Sequence, residues 1–414
     1  MKKIYLNSFV VLLTLLVSCS QEDRMTEFAN VAVPIFKSKT ALRESVGVTS
    51  PQSTYSDGKV YVAENMLFYI AQEQGIHIFD NSNPAQPQNV AFIQMEGVHD
   101  IAVKGNYLYA DNFMDLLVFN LSNLQQISLV QTLQDVLEFY PQFPAEADFM
   151  AWDSNPDEDD IMIGFQIESR KRPRGQERIW ADNAFGAFES QSGGNIGTGG
   201  SMARFQINSD ALYTVESYRL NVFNIAQPTQ VFFDKSIFMT DWMWGGEFET
   251  LFMRKEFLFI GATTGMFIIN ASDAFNPYFV SGFSHATACD PVVVHENTAY
   301  ITVRGGATCG AIQDQVNVID ITQINNPTLT STYLLNQPFG LGIKNQVLYV
   351  CANQQLHVFN AQNHQQLVLV NSYADGVTDV IPLESHVIAV GPNRVVQYNY
   401  GPNHTLIPIS TIQL

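Results

Sequence analysis

The sequence predicts an all-β fold, and three observations lead to that prediction. Short apolar stretches rich in β-branched and aromatic residues alternate with turn residues along most of the 414 residues. The composition, 46% hydrophobic and 12% aromatic, is sufficient to bury a large core. One pattern of strands also recurs with a period of about 40 to 50 residues, which is typical of a four-stranded propeller blade. Together these observations predict a β-propeller.

Seven copies of the pattern can be aligned on an aromatic or branched residue of the third strand. The aligned residues are Phe79, Phe119, Phe223, Ile269, Ile319, Phe359 and Tyr398. Five of the six spacings fall between 39 and 50 residues, and the exception is the 104-residue gap between the second and third copies. We interpret that gap as one blade with a long insertion over Asp135–Ser201. Seven four-stranded blades are therefore expected, with six or eight as alternatives; an eighth would use Ile161–Ile167.

The second copy shows the four-strand plan in detail. Ile101–Val103 is a first strand, Gly105 and Asn106 form a tight turn, Tyr107–Ala110 is a second strand, and Leu116–Asn120 is a third. A polar turn then leads into a fourth strand. In addition, the C-terminal stretch Thr405–Ile412 is expected to close the ring by pairing with the first blade, because closure removes exposed sheet edges.

The first residues predict the destination of the protein. Lys2 and Lys3 precede an apolar run over Phe9–Val17, which is too short for a permanent membrane helix and is typical of a signal peptide. The run ends in Leu16-Val17-Ser18-Cys19, which resembles the bacterial lipobox. The resemblance implies cleavage after residue 18 and acyl chains such as palmitate on Cys19, although an ordinary signal with a chance cysteine is the alternative. Residues 19–45 are interpreted as a tether and 46–414 as the propeller.

The segment after the cysteine, Ser20-Gln21-Glu22-Asp23, is similar to the acidic signal by which lipoproteins of the Bacteroidota type reach the cell surface. We expect an outer-membrane lipoprotein at the cell surface or on the periplasmic face. The lipid would anchor the protein while the folded part stays outside the membrane.

The repeat itself resembles the LVIVD-repeat family of secreted β-propellers. The most similar stretches are Gly75–Pro84 ("GIHIFDNSNP") and Asp100–Tyr109 ("DIAVKGNYLY"). The fourth copy departs from the pattern, because Ile269-Asn270 stands where the pattern has Phe-Asp. The last copy lacks the Asn-Pro turn that follows the third strand. The resemblance implies an extracytoplasmic propeller whose biochemical role is unassigned.

The charge balance excludes one class of partner. The chain has 21 Lys and Arg against 40 Asp and Glu, a formal charge of −19. Nucleic-acid binding needs concentrated basic residues, so no nucleic-acid partner is expected. The predicted contact with the membrane is the lipid anchor alone, since a basic face that would bind anionic lipid is not predicted either.

The mouth of the central channel is the first candidate site. In a propeller the first strand of each blade lines the channel, so residues that begin these strands converge on a ring. These candidate ligand-binding residues are His99, Asp100, Arg204, Glu249, Asp290 and Asp379, with Lys59 in the first blade. Such a ring suits a polar ligand or a metal; the alternative is a hydrated channel whose charges pair with one another. His99 and Asp100 are weak evidence for catalysis, because adjacent strand residues point to opposite faces.

The insertion contains a second candidate site. Asp153, Asn155, Asp157 and Asp159 have the alternate spacing of the first ligands in a Ca²⁺ loop. The turn glycine and the distal glutamate of such a loop are replaced by Glu158 and Gly164, and a solvated loop is the alternative. Apart from this Ca²⁺ site, no cofactor is predicted. Because long loops in compact domains are often functional, the insertion is also a candidate partner contact.

Three other cysteines and a group of aromatic residues complete the candidates. Cys289 and Cys309 are expected to form a disulfide in an oxidising compartment, with free thiols as the alternative. Cys351 is expected to be a buried small apolar residue within a strand. Trp242, Trp244 and Phe248 precede a first strand, where they would bind a sugar or peptide if exposed and fill the core otherwise.

These features predict a binding or scaffold protein of the cell envelope, with an envelope protein or a glycan as partner. The alternative is a polysaccharide-active lyase or hydrolase at the channel mouth, which would need two carboxylates, or one carboxylate with His99 or Arg204, in one pocket. A third hypothesis is a structural part of an envelope complex with an exposed apolar patch. The sequence has no G-x-S-x-G, H-E-x-x-H, phosphate-loop or dinucleotide motif.

Overall fold

The computed structural model of the chain describes residues 26–53, 58–72, 74–151, 154–173, 198–216, 218–238, 247–284, 291–305, 313–392 and 394–414. These residues divide into two compact units. Unit 1 comprises the described parts of Met1–Arg43 and Tyr140–Ala187, and unit 2 those of Glu44–Phe139 and Phe188–Leu414. Several predicted residues lie outside the described ranges: Cys19 with the whole signal peptide, Asp153, Trp242, Trp244, Cys289, Asp290 and Cys309.

Unit 2 contains seven antiparallel sheets, or blades, among its described residues, and each is built on four strands that follow one another in the chain. Blade 1 contains β3 (Gly58–Ala63), β4 (Met66–Ala71), β5 (Gly75–Asp80) and β6 (Gln88–Gln94). Blade 2 contains β7 (Ile101–Lys104), β8 (Tyr107–Asn112), β9 (Asp115–Asn120) and β10 (Ser128–Leu133). Blade 3 contains β14 (Phe205–Asn208), β15 (Ala211–Glu216), β16 (Arg219–Asn224) and β17 (Phe232–Phe238). The all-β propeller prediction is confirmed, and blade 2 has the predicted strands and turn.

Blades 4 to 7 repeat the same plan. Their strands are β18 (Phe248–Arg254), β19 (Phe257–Ala262), β20 (Gly265–Asn270) and β21 (Tyr278–Ser284); β22 (Val292–His295), β23 (Thr298–Val303), β24 (Gln315–Asp320) and β25 (Thr328–Leu334); β26 (Pro338–Lys344), β27 (Val347–Ala352), β28 (Gln355–Asn360) and β29 (Val368–Tyr373); and β30 (Asp379–Pro382), β31 (His386–Gly391), β32 (Arg394–Tyr400) and β33 (Leu406–Gln413). The first strand of each blade contacts the first strand of the next, and β3 contacts β31 of blade 7.

The polar residue that ends most third strands has a structural purpose. In blade 1 the backbone N–H of Ser82 donates to the Asp80 carboxylate at 2.9 Å, and in blade 2 that of Ser122 donates to Asn120 at 2.8 Å. The same bond to the side chain two residues earlier recurs in blades 3 to 6. Asp and Asn favour turns through this bond. The recurring Asp or Asn is therefore explained by the turn that leads into the fourth strand.

The predicted ring closure is wrong. Thr405–Ile412 was expected to pair with the first blade, but β33 pairs antiparallel with β32 and forms the outer strand of blade 7. Closure instead depends on side chains. Val60 and Tyr69 of blade 1 belong to the same buried cluster as Ile388 and Ile412 of blade 7. A tail that completes its own blade satisfies its backbone groups locally, so the ring closes without a shared sheet.

Blade 1 is wider than the others within the described residues. β2 (Gly47–Thr49) pairs antiparallel with β6 on its outer side, and β13 (Thr198–Gly199) pairs antiparallel with β3 on its inner side. The sheet therefore has six strands. The end of the predicted insertion thus pairs with the first strand of blade 1 before blade 3 begins.

Unit 1 is a three-stranded sheet in which β1 (Thr26–Ser38) lies between β11 (Phe149–Met150) and β12 (Asp160–Pro173). Part of the segment interpreted as a tether therefore forms a regular strand, which buries Ala29, Val31 and Ala32. The Glu27 carboxylate accepts from Arg172 at 2.8 Å, so a basic run on one strand meets an acidic side chain on the other. The stretch suggested for an eighth blade lies in β12 of this sheet.

Helices are short in the described part of the chain. α1 (Lys39–Glu44) follows β1, and a single 3-10 turn spans Pro402–His404. No helix of the described residues has the length and apolar character needed to cross a membrane.

Candidate functional site

The predicted mouth residues lie where the innermost strands begin. Asp100 and Arg204 directly precede β7 and β14, Glu249 is the second residue of β18, and Asp379 is the first of β30. The structure brings three of the blades together through Asp100. It places Asp379 in a different group, and it pairs His99 with a residue that the sequence analysis did not single out.

Asp100 connects blades 1, 2 and 3. Its carboxylate lies 3.7 Å from Lys59 Nζ and accepts from the backbone N–H groups of Arg204 at 2.5 Å and Ile101 at 2.8 Å. Asp100 and Lys59 are only 2% and 6% exposed. A buried carboxylate is tolerated when a cation and hydrogen-bond donors surround it. Asp100 and Lys59 therefore act as ties between neighbouring first strands.

Asp379 makes a second tie. Its Oδ1 accepts from the backbone N–H and the hydroxyl of Ser201, at 2.9 and 3.0 Å. The same Ser201 hydroxyl oxygen accepts from the backbone N–H of Leu341 at 2.7 Å, so that blades 6 and 7 are joined through one serine. Gly340 lies against this carboxylate, because a Cβ there would be 1.9 Å from Oδ1.

His99 is paired with Asp111 of β8. Asp111 Oδ1 accepts from the backbone N–H groups of His99 and Asp100 at 2.7 and 2.8 Å, and its Oδ2 lies 3.5 Å from His99 Nδ1. Burial acts to raise the pKa of Asp111, but the hydrogen bonds and charge of His99 hold it below its usual value. The imidazole also contacts the rings of Phe113 and Phe139. The carboxylate beside the imidazole is therefore that of Asp111, on the neighbouring strand β8.

Two glutamates that sequence reasoning missed, Glu216 and Glu247, interact electrostatically with Arg204. Its Nη2 donates to the carbonyl of Val215 at 3.1 Å, next to Glu216 at the end of β15. Burial raises the pKa of Glu216 to about 7, against the opposing charge of Arg204 and a hydrogen bond from Asn221. Burial also raises the pKa of Glu247, again opposed by Arg204. We call Arg204, Glu216 and Glu247 the mouth cluster.

An ion pair lies next to the mouth cluster. Arg219, which begins β16, donates to the Glu138 carboxylate at 2.5 Å and lies over the ring of Phe238. The backbone of Glu138 in turn hydrogen-bonds the Glu216 carboxyl group, while its charge raises the pKa of Glu216. Glu216 is 6% exposed, and Arg204 and Glu247 are intermediate. The cluster therefore offers a guanidinium and a carboxyl group that titrates near neutral pH.

A comparison of the repeats would have revealed Glu216. The last residue of the second strand is Ala71, Asn112, Ala262, Val303, Ala352 or Gly391 in the other blades, and only blade 3 has an ionisable group there. Asp111 and Ser201 could not be recognised by comparing the repeats in this way. Their importance depends on contacts between segments far apart in the sequence.

The described residues of the suggested Ca²⁺ loop lie in unit 1. The Asp159 carboxylate accepts from the Ser38 hydroxyl and from the backbone and hydroxyl of Thr40 at 3.2 and 3.3 Å, at the start of α1. These hydrogen bonds lower the pKa of Asp159. The backbone N–H of Asp157 donates to Asp160 at 2.9 Å. Nowhere in the described ranges do three His, Cys, Asp or Glu side chains form a group that could hold a metal ion.

Cys351 has the predicted environment. It is fully buried in β27, and burial raises the pKa of its thiol well above the usual value. The prediction of a buried small apolar residue is confirmed. The suggested disulfide between Cys289 and Cys309 falls on residues outside the described ranges and stays a prediction.

Comparison with known proteins supports the repeat assignment. The family described as LVIVD repeat matches residues 58–92 and 97–135, which are blades 1 and 2 with their connections. The chain carries LVIVD repeats. In this structure one LVIVD repeat corresponds to one blade, from its first strand to its fourth. No curated protein sequence matches the chain.

Solved structures similar to this chain share its fold at low sequence identity. A protein from Lactobacillus plantarum aligns with a TM-score of 0.55 and 11% identity, over 86% of this chain and 96% of that one. The periplasmic gluconolactonase of Pseudomonas aeruginosa aligns with a TM-score of 0.51 and 10% identity, over the same shares of the two chains. A protein of unknown function from Desulfotomaculum acetoxidans gives 0.50 and 10%, again over 86% and 96%. At these identities the likeness concerns the propeller fold alone.

Proposed function

We propose that this chain is a lipid-anchored, extracytoplasmic β-propeller that acts as a binding or scaffold protein of the cell envelope. The N-terminal signal, the lipobox-like Leu16–Cys19 and the LVIVD repeats support this location. The lipid on Cys19 anchors the chain to the outer membrane, and unit 2 presents the mouth cluster to a ligand or partner.

The mouth cluster is the observation that carries the proposal. Lys59, Asp100 and Asp379 are committed to bonds between blades, whereas the guanidinium of Arg204 and the carboxyl groups of Glu216 and Glu247 gather at the same end of the strands. Hydrogen-bonding groups of mixed charge on a rigid scaffold are typical of a polar binding site. The rigid blades hold these groups in place before a ligand arrives, which lowers the entropic cost of binding.

An exposed aromatic edge supports the scaffold part of the proposal. Outer strand β17 of blade 3 exposes Phe232, Phe233 and Phe238, each by 41% or more. Large exposed apolar side chains on an outer strand are available to a protein partner.

Affinity capture from solubilised envelopes tests the proposal. The full lipidated chain is compared with Arg204→Ala, which leaves the backbone N–H that binds Asp100 in place, and with the control Lys104→Ala. Lys104 pairs with Asp210 at 2.6 Å at the other end of the strands. We expect an envelope component whose recovery falls at least about 10-fold with Arg204→Ala and stays unchanged with Lys104→Ala. Equal recovery with all three chains contradicts binding at the mouth.

A second candidate function is favoured by Glu216. A general acid works best when its pKa is near the working pH, and burial places that of Glu216 at about 7. Glu247 would then be the second carboxylate that the hydrolysis or lyase cleavage of a polysaccharide requires. This function requires that envelope or plant polysaccharides be cleaved by the wild-type chain and that Glu216→Gln abolish the cleavage. An inactive wild-type chain on such substrates rejects it.

A further inference from the structure

The contact between blades 7 and 1 differs from the other contacts between blades. The residue after the third strand is apolar and buried in blades 2 to 6: Leu121, Ile225, Ala271, Ile321 and Ala361. In blade 1 it is Asn81. The residue before the aligned aromatic or branched position is Ile78, Val118, Val222, Ile268, Val318 or Val358 in six blades, but it is Gln397 in blade 7.

These two amides bind each other. Asn81 Nδ2 donates to Gln397 Oε1 at 3.0 Å, and Gln397 Nε2 donates to Asn81 Oδ1 at 2.8 Å. His386 Nε2 lies 2.9 Å from the same Gln397 oxygen, and its Nδ1 lies 2.8 Å from the Ser385 hydroxyl. Since an amide oxygen only accepts, Nε2 carries the proton and Nδ1 accepts from Ser385. Burial lowers the pKa of His386, so the ring is neutral at pH 7.

A cavity of about 780 Å³ opens beside this group, and we call it the seam cavity. Its lining includes Asn81 and His386, the first turn of blade 1 at Glu64 and Asn65, and Ser385 of blade 7. It lies where first strands end, whereas the mouth cluster lies where they begin. Its volume is within the range of about 300 to 1,000 Å³ that is usual for small-molecule sites.

The lining restricts the kind of ligand. It contains no Lys or Arg, its carboxylates are Glu64 and Glu384, and the neighbouring Lys344 is paired with Glu384 at 2.8 Å. An anionic ligand would therefore meet no counter-charge. The remaining polar groups are side-chain amides, hydroxyls and a neutral imidazole. The side-chain amides of Asn65 and Asn399 make no hydrogen bond to the described residues. Such groups donate and accept side by side, as ligand hydroxyls do.

Apolar side chains complete the lining. Val62, Val103, Leu383 and Ile409 face the cavity between the polar groups. A sugar has both kinds of surface, hydroxyl groups around its edge and C–H groups on its faces. We propose that the seam cavity binds an uncharged, hydroxyl-rich ligand, namely a segment of a neutral glycan. This site is separate from the mouth cluster and does not depend on the function proposed above.

The test uses a matched pair of variants. Asn65 and Asn297 occupy the same position of the first turn in blades 1 and 5, each after a glutamate with φ near 50° and each accepting a backbone bond from the residue after the third strand. Asn65→Trp fills the seam cavity, and Asn297→Trp adds the same bulk elsewhere. Binding of neutral hexasaccharides of glucose, xylose, mannose and N-acetylglucosamine, and of hexagalacturonate as the anionic comparison, is measured by calorimetry on the full chain.

We expect at least one neutral hexasaccharide to bind, with affinity reduced at least 10-fold by Asn65→Trp and unchanged by Asn297→Trp and by Arg204→Ala. Asn399→Trp, on another wall of the cavity, replaces Asn65→Trp if the latter does not fold. The proposal is overturned if no neutral hexasaccharide binds, if hexagalacturonate binds more tightly, or if the filling variant leaves affinity unchanged. A loss with Arg204→Ala alone would assign the binding to the mouth cluster and also overturn the proposal.

Discussion

At the scale of single residues, the charged side chains where first strands begin fall into two groups. Asp100 and Asp379 are almost fully buried and accept backbone and hydroxyl hydrogen bonds from neighbouring blades. Arg204 uses its backbone for such a bond and keeps its guanidinium near Glu216 and Glu247. The same sequence position in the repeat thus stabilises the ring in some blades and forms a candidate site in another.

A substitution at Gly340 tests the hydrogen bonds between Asp379 and Ser201. We expect Gly340→Ala to destabilise the protein by about 1–3 kcal/mol, because the new methyl group would lie 1.9 Å from Asp379 Oδ1 and the carboxylate is fixed by Ser201. Urea unfolding measures the change. Gly47→Ala is the control, since nothing lies within 4 Å of a Cβ at that position. Equal stabilities of the two variants would show that the Asp379 tie is not rigid.

Glu216 predicts a pH dependence of stability. Its pKa is raised from 4.5 to about 7, so between those values the folded chain holds a proton that the unfolded chain has released. Stability from this group is therefore complete below about pH 4.5 and is lost as the pH rises to about 7. Relative to the wild type, Glu216→Gln should gain roughly 3 kcal/mol of stability across that window, since one pKa unit corresponds to about 1.4 kcal/mol.

Urea unfolding at several pH values between 4.5 and 8 measures this effect. Glu296→Gln, on an exposed turn of blade 5, serves as the control carboxylate. A stability difference between Glu216→Gln and the wild type that is the same at every pH would disprove the raised pKa.

The position of a candidate residue within its blade was easier to predict from the sequence than the side chain that it contacts. The alignment of the repeats correctly placed Asp100, Arg204, Glu249 and Asp379 at the starts of first strands, because periodicity fixes where a residue lies within its blade. The partner of His99 is Asp111 and that of Asp379 is Ser201. Such contacts depend on how blades pack, which the repeat pattern does not encode.

At the scale of elements, one blade is the unit that the sequence specifies. Strand alternation, tight turns and the Asp or Asn at the end of the third strand can all be recognised in the sequence. The closing strand was predicted wrongly, because a repeat of four strands can begin at any of them. Period alone therefore does not decide whether the last strand, β33, belongs to the last blade or the first.

The amide pair at the contact of blades 7 and 1 gives a prediction at this scale. Asn81→Leu introduces the type of residue found in blades 2 to 6, yet we expect a loss of about 1–3 kcal/mol, because Gln397 Nε2 loses its buried acceptor. The double variant Asn81→Leu/Gln397→Val should lose less than the sum of the single variants. Urea unfolding of all four chains measures the coupling. Strict additivity would contradict a direct amide pair.

At the scale of the whole molecule, the proposed lipid anchor decides where the propeller works. We expect Cys19→Ala to abolish incorporation of labelled palmitate and to move the protein from the membrane fraction to the soluble fraction, since the acyl chains are the proposed attachment. Fractionation and metabolic labelling of cells measure both effects. Ser18→Ala, which keeps the cysteine, is the control. Membrane retention of the Cys19→Ala chain would contradict lipid anchoring.

The placement of the last strand has a consequence for how such proteins change over time. Since β30 to β33 form a complete blade from one continuous stretch of chain, a duplication or deletion of one repeat in the gene adds or removes a whole sheet and leaves no half-built sheet behind. Blade number can then change in a single recombination event. Selection would fall chiefly on the first and last repeats, where Asn81 and Gln397 have to meet again whenever the ring is enlarged or reduced.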